Sequence, residues 1–363
     1  MRRVGPLLGA VAILLATGAA LALAAAGRDR GAGETGPAVA APNRAADEAA
    51  AKDGAGRSTD AAPAVDPDEL ARISVAATPE VARRVERIRG LEFARVPRPE
   101  VVGGGHLRRL TEREQGRRGA AEGVAGDEAA ARITGLLAPD EQLEDALTAG
   151  TDLAAAAYDT RHDRLYVVSD AVVPNRALVE FTLAHELDHA LEDQRFGLPA
   201  GGRVNDDGAL ARVALSEGSA TAVMSEYASR HLGAAELLAA TGGLDAGTGD
   251  VPRFVVDQLL WTYLGGRRFI DALYRIGGGW KLVDYALRTR PPRTTEQVLH
   301  PRSYLRDERA PAVRVSGGAL RERGWRPAGR GVLGELGTGR SSLDWQAPKT
   351  TLDPAIYHDA HRF

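Results

Sequence analysis

Leu178, Phe181, Ala184, Leu187 and Leu191 recur at the spacing of one helical stripe. The stretch is framed by its own start and stop. Pro174-Asn175 precede it, and Asn is a favoured N-cap. Arg195 stands in the last turn and Gly197 just beyond, where a helix ends readily. A helix is therefore predicted over about 176–195. This helix constrains the fold more than any other segment. Its apolar stripe must be buried, yet His185, Glu186, Asp188 and His189 are threaded through it. Any fold that buries it must also supply partners for imidazoles and carboxylates, because an unpaired buried charge is costly.

His185-Glu186-Leu187-Asp188-His189 has the form H-E-x-x-H. Helix positions i and i+4 lie one above the other. Two imidazoles so placed can reach one ion at the ~2.0–2.1 Å that zinc requires. Glu186 lies about 100° round the helix, placed to take a proton from water without ligating the ion. Short motifs also match by chance, and the competing reading is a charged helix face with coincident histidines. A second feature bears on the choice. Asp206-Asp207-Gly208 reads as a helix start, and about 208–230 as helix, with Leu210, Val213, Ala214, Glu217, Ala220, Thr221 and Met224 on one stripe. Glu217 thus falls within an apolar face, where a carboxylate is tolerated only when paired or bound to a metal. Two histidines, one glutamate and a water form a common zinc set. The alternative for Glu217 is a buried ion pair, with Arg212 or another arginine as partner.

This combination resembles the gluzincins, the zincin clan that contains thermolysin. The resemblance implies that His185, His189 and Glu217 ligate Zn2+ and that Glu186 is the general base. A broader similarity links residues 79–310 to a family of uncharacterised exported bacterial zincin-like proteins. It is carried by Ile88-Arg89-Gly90-Leu91, Tyr158-Asp159, Arg164-Leu165-Tyr166-Val167, Leu183 to Gln194, Glu217-Gly218 and Thr294-Thr295-Glu296-Gln297-Val298-Leu299-His300-Pro301. Ser219 stands where that family tends to carry Asp. The implied fold class is mainly α, of α+β type: a zincin-like helical domain with a small antiparallel sheet or hairpin before the H-E-x-x-H helix.

The implied reaction is hydrolysis of a peptide or protein substrate. Zinc acidifies water, Glu186 takes its proton and returns it to the leaving amine, and a further donor steadies the carbonyl oxygen. His300 is the candidate donor, with Tyr304 and Tyr166 next; a satisfied structural histidine is the alternative. Thr221, one turn beyond Glu217, is the candidate to hold a ligand histidine, or else simply packs. Ala155-Ala156-Ala157-Tyr158 and Leu165-Tyr166-Val167-Val168 flank a polar turn and predict an antiparallel hairpin. In zincins an edge strand of this kind pairs with extended substrate. Leu165, Tyr166 and Val167 are therefore candidate substrate-binding residues, unless the hairpin is only structural.

The remaining chain places the domain. Arg2 and Arg3 precede an uncharged, Leu/Ala-rich run to Gly27, an export signal cleaved near Ala20-Leu21-Ala22 or Ala24-Ala25-Ala26, or kept as a membrane anchor. The positive-inside rule then puts the rest outside the cytoplasm, secreted or tethered. Residues 28–67 have the composition of a disordered linker. A helical region is expected over 68–150, with a helix starting at Thr78-Pro79-Glu80, others over about 127–138 and 140–149, and a turn at Gly103-Gly104-Gly105. The zincin-like domain follows over 151–310, with Trp261, Tyr263, Phe269 and Tyr274 as core, and then an extension over 311–363. A net charge of −3 gives no electrostatic case for nucleic acid, and the absence of Cys excludes disulfides and thiolate ligands. The alternative function is a non-catalytic zincin-fold binding or structural protein of the cell envelope.

Overall fold

The computed structural model describes residues 7–11, 66–117, 124–133, 135–138, 140–151, 153–172, 174–198, 207–233, 251–311, 317–325, 332 and 334–337. Among these the chain is mainly helical, with a small mixed sheet. The helices are α1 (Pro67–Arg89), α2 (Gly105–Arg117), α3 (Val124–Ile133), α4 (Leu143–Thr151), α5 (Arg176–Phe196), α6 (Asp207–His231), α7 (Arg253–Gly277), α8 (Lys281–Arg288), α9 (Thr295–Leu299), α10 (Pro301–Leu305), α11 (Gly318–Glu322) and α12 (Gly334–Gly337). The strands are β1 (Leu7–Val11), β2 (Pro99–Val102), β3 (Ala154–Asp159) and β4 (Arg164–Val168).

The expected hairpin is present as β3–β4, with Tyr158 opposite Leu165 and Ala156 opposite Val167. Asp159 shapes its turn by accepting from the backbone N–H groups of Arg161 and His162 at 2.9 and 3.3 Å. The sheet is not purely antiparallel, because β2 pairs parallel to β4, Pro99 opposite Leu165. β1, inside the expected export segment, pairs antiparallel with β3; the rest of residues 1–65 lies outside the described residues. No helix among the described residues is long and apolar enough to cross a membrane.

Helix α5 is the centre of the molecule. Asn175 caps it, its side chain accepting from the Leu178 N–H at 3.1 Å, and Gly197 closes it at φ 70°. Every residue from Ala177 to Glu192 is buried. The sequence pattern suggests one apolar face, but the helix is enclosed on all sides, packed against α1, α6 and β3.

Helix α1 corrects one expectation. It starts at Pro67 behind an Asp66 cap and runs straight through Pro79. Proline removes one backbone donor and crowds the carbonyl four residues back. That residue, Val75, is on the exposed side, while Leu70, Ala77, Val81 and Val85 continue the buried stripe across Pro79. This stripe shares one core with Leu178, Phe181, Leu187, Val223 and Met224. The core therefore crosses the expected boundary at residue 150.

A second core joins α6 and α7 to α8, α9 and α10 through Leu215, Trp261, Phe269, Leu273, Val283 and Tyr304. Tyr274, expected as core, is half exposed. Helices α6 and α7 meet backbone to backbone at Gly218 and Gly266. A Cβ on Gly218 would run into the Gly266 backbone, and one on Gly266 into the Ala214 carbonyl. Part of the C-terminal extension folds back: the Asp207 carboxylate at the head of α6 accepts from Thr295 N and Oγ1, and Leu336 N donates to Thr295 Oγ1.

Gly266→Ala should lower stability by about 1–3 kcal/mol, the usual cost of overpacking, although Ala is the better helix former. Gly103→Ala, with nothing within 4 Å of the new methyl, should change it by less than about 0.5 kcal/mol. Thermal melts of the two variants check this; equal midpoints would remove the close α6–α7 approach as a determinant of the fold.

Candidate metal centre

The two histidines of α5 and Glu217 of α6 come together. His185 Nε2 lies 3.1 Å from His189 Nε2 and 3.2 Å from Glu217 Oε2, and His189 Nε2 lies 3.5 Å from the same oxygen. The helical period puts the imidazoles on one face of α5, and the packing of α6 across that face brings the carboxylate to them. His185 and His189 are fully buried and Glu217 nearly so. These three residues can hold a metal ion. The expected alternative, an arginine partner for Glu217, is replaced by the two imidazoles. Glu186, also fully buried, stands beside them without joining the triangle.

Burial and pairing set the protonation of this group in the metal-free protein. Burial holds His185 below its ordinary value, against the pull of Glu217. Burial also opposes the charged form of His189, but Glu217, with Glu186 and Glu192, overrides it and lifts the imidazole to about 9. Burial alone would raise Glu217; His189 and His185 bring it down to about 2. The signs differ for the two partners. Stability from a raised His189 is complete below its unfolded value near ~6.5 and lost as pH rises through about 9. Stability from a lowered Glu217 is complete above ~4.3 and lost as pH falls towards about 2.

Three further residues support this centre in ways that the sequence alone does not assign. Ser216 Oγ lies 3.2 Å from His189 Nδ1, so the residue before Glu217 fixes that ring. The Tyr263 ring stacks on His185, centroids 5.6 Å apart at 22°, which places an expected core aromatic at the site. Arg89 donates from Nε to Asp188 Oδ1 at 3.0 Å and from Nη2 to Glu192 Oε1 at 3.2 Å, with every one of these side chains buried. Burial holds Glu192 well above the usual carboxylate range, with Asp188 adding to the shift and Arg89 opposing it. A helical-wheel reading of α5 shows Asp188 and Glu192 beside the histidine stripe and hence in need of a cation. It does not say that the cation is Arg89, about a hundred positions earlier.

Several expected site residues are elsewhere. Thr221 does not hold a ligand histidine: its Oγ1 donates to the Glu217 carbonyl at 2.7 Å, one turn back along its own helix. His300 pairs with Glu335 at 3.0 Å and is half exposed. This contact between the α9–α10 junction and α12 occupies the proposed carbonyl donor. Tyr304 donates to the Arg290 carbonyl at 2.8 Å, and Tyr166 packs on His106 in the sheet. Leu165, Tyr166 and Val167 are interior to that sheet. β4 is paired with β3 on one edge and β2 on the other, so it has no edge left for a substrate strand. Comparison of the chain with protein-family models, with curated proteins and with solved structures finds no match. The case for the site therefore rests on its geometry.

Metal ligation requires a neutral imidazole, whereas His189 of the metal-free protein is protonated at neutral pH. Metal uptake at pH 7 should therefore release about one proton. Calorimetric titrations in two buffers of different ionisation enthalpy measure this directly; heats that do not depend on the buffer would show that His189 binds no metal or is neutral beforehand. In chelator-treated protein, the melting midpoint should also fall between pH 6.5 and about 9, and Glu217→Gln should flatten that limb.

Proposed function

We propose that the chain is a zinc-dependent peptide hydrolase of the gluzincin kind, exported or tethered to the membrane by its N-terminal segment. The observation that carries this reading is the triangle of His185, His189 and Glu217 with Glu186 alongside. A tetrahedral ion bonded at ~2.0–2.1 Å separates its ligand atoms by about 3.3–3.4 Å. The three separations here are 3.1, 3.2 and 3.5 Å. Calcium and magnesium prefer all-oxygen cages, while imidazole with one carboxylate suits zinc.

When bound, zinc would supply a Lewis acid that acidifies water and polarises a carbonyl. The protein's own groups do the rest. His185 Nε2, His189 Nε2 and Glu217 Oε2 would hold the ion. Ser216 at His189 Nδ1 and the Tyr263 ring against His185 keep the imidazoles in place. The Glu186 carboxylate takes the proton of the attacking water and passes it to the leaving amine nitrogen. Arg2, Arg3 and the apolar run that follows them support export, and a peptide or protein outside the cytoplasm as substrate.

The complete burial of His185, Glu186 and His189 favours a second reading, in which the metal staples α5 to α6 without turnover. Glu186 separates the two. Glu186→Gln should leave near-stoichiometric zinc, read by inductively coupled plasma mass spectrometry, while slowing cleavage of a peptide library by roughly 10²–10⁴-fold. Glu217→Ala should lose the zinc itself. A parent that binds zinc yet cleaves nothing would decide for the staple, and unchanged cleavage in Glu186→Gln would falsify the role given to that carboxylate.

A further inference from the structure

Arg89 closes α1, and its side chain is wholly buried. Besides Asp188 and Glu192, its Nη2 reaches Asp284 Oδ1 of α8 at 3.1 Å. Its guanidinium carbon lies 4.0 Å from the centroid of the Trp280 ring. One edge of the fork is thus filled by carboxylates and one face by an indole, a combination that only a planar guanidinium satisfies. Asp188 is bound from a second side: its Oδ2 accepts from Ser219 Oγ at 3.3 Å, and Ser219 lies two residues beyond Glu217 on α6. The residue preceding His189 is therefore joined to α1 through Arg89 and to the helix of the third ligand through Ser219.

The helical period shows what these contacts control. Taking His185 as origin, His189 lies ~40° and Glu186 ~100° to one side of it, while Asp188 and Glu192 lie ~60° and ~20° to the other. Pinning Asp188 and Glu192 fixes the rotation of α5 about its own axis. That rotation decides whether the imidazoles face Glu217 and where Glu186 is held. We propose that Arg89 is the positioning residue of the metal centre, holding α5 in the rotation that brings His185, His189 and Glu217 onto one ion. This rests on the metal reading given above.

Arg84 supplies a control of the same chemistry. It lies on the same helix and donates to Glu180 Oε2 at 3.2 Å on α5 and to the Tyr227 hydroxyl at 2.9 Å on α6. Glu180, however, is ~140° round α5 from His185 and more than a turn away. Both arginines run from α1 to buried carboxylates of α5, and only Arg89 touches the turn that carries the two histidines.

The test compares the full-length parent with Arg89→Met, Arg89→Lys and Arg84→Met. Zinc affinity is read by competition with a chromogenic chelator, metal-free stability by thermal melts, and ligand geometry by the visible d–d bands of the cobalt-substituted proteins. Arg89→Met should bind zinc about 10–100-fold more weakly, the usual effect of losing an outer hydrogen-bond partner. Arg89→Lys, which keeps the charge but not the fork, should fall between and shift the cobalt bands. Arg84→Met should lower the melting midpoint with zinc affinity and cobalt bands unchanged. Equal loss of affinity in the Arg84 and Arg89 variants, or parental affinity in Arg89→Lys and Arg89→Met, overturns the proposal. Should Arg89→Met not fold, Arg89→Lys alone decides by its affinity and spectrum. A parent that takes up no zinc overturns the metal reading and this proposal together, an outcome distinct from variants that match a zinc-binding parent.

Discussion

Helix α5 is enclosed on every side and yet carries Glu180, Glu186, Asp188 and Glu192 beside His185 and His189. An ion moved from water into a protein interior loses several kcal/mol of solvation unless close partners replace it. The neighbouring helices answer that demand with particular side chains. Helix α1 brings Arg84 to Glu180 and Arg89 to Asp188 and Glu192. Helix α6 brings Glu217 to the histidines, Ser216 to His189, Ser219 to Asp188 and Tyr227 to Glu180. Hydrophobic contact alone would let these helices slide or rotate against α5 at little cost. The polar contacts allow one rotation and one register, because each donor must meet its own acceptor. The cost of buried charge thus becomes the source of the geometry.

The division of α5 into sides follows from the same pairing. Arg89 and its carboxylates occupy one flank of the histidine stripe, Glu217 faces the stripe, and Glu186 stands on the other flank. Close approach of the third layer depends on backbone rather than side chains. Gly218, next to Glu217, and Gly266 let α7 lie directly on α6, and the same helix carries Tyr263 to the His185 ring. A larger residue at either glycine would push α7 away from α6 and carry Tyr263 with it. The small residues of α6 and the aromatic of α7 therefore act as one device.

What the sequence makes legible is what short-range physics determines. The period of the apolar residues and the Asn175 and Gly197 caps place α5 over Arg176–Phe196, within a residue of the boundaries expected from pattern alone. The spacing of His185 and His189, and a carboxylate within the apolar face of α6, were enough to bring Glu217 to them. The failures concern long-range geometry. Ser216 and Thr221 sit on the same helix, and which one reaches an imidazole of α5 depends on how α6 crosses α5. The hairpin of β3 and β4 is local, but the loss of the free edge of β4 comes from Pro99–Val102, which pair with it from beyond α4, α3 and α2. His300 lies in a polar segment of the kind that approaches active sites, and it is held instead by Glu335, from a tail with no recognisable pattern. Pro79 reads as a helix start by local rule, and a core stripe that continues past it overrides that rule.

Glu186 is the residue on which a purely structural account is weakest. A metal that merely fastened α5 to α6 needs His185, His189 and Glu217 and nothing more. A carboxylate buried next to them is then a burden, since replacing a buried ion by an apolar side chain of similar volume is often neutral or stabilising. Its negative charge also helps to keep a proton on His189, which competes with the metal for that imidazole. A structural site would be better without it on both counts. The proposed proton transfer would need a base close to His185, His189 and Glu217 but outside that set, and Glu186 is buried beside them.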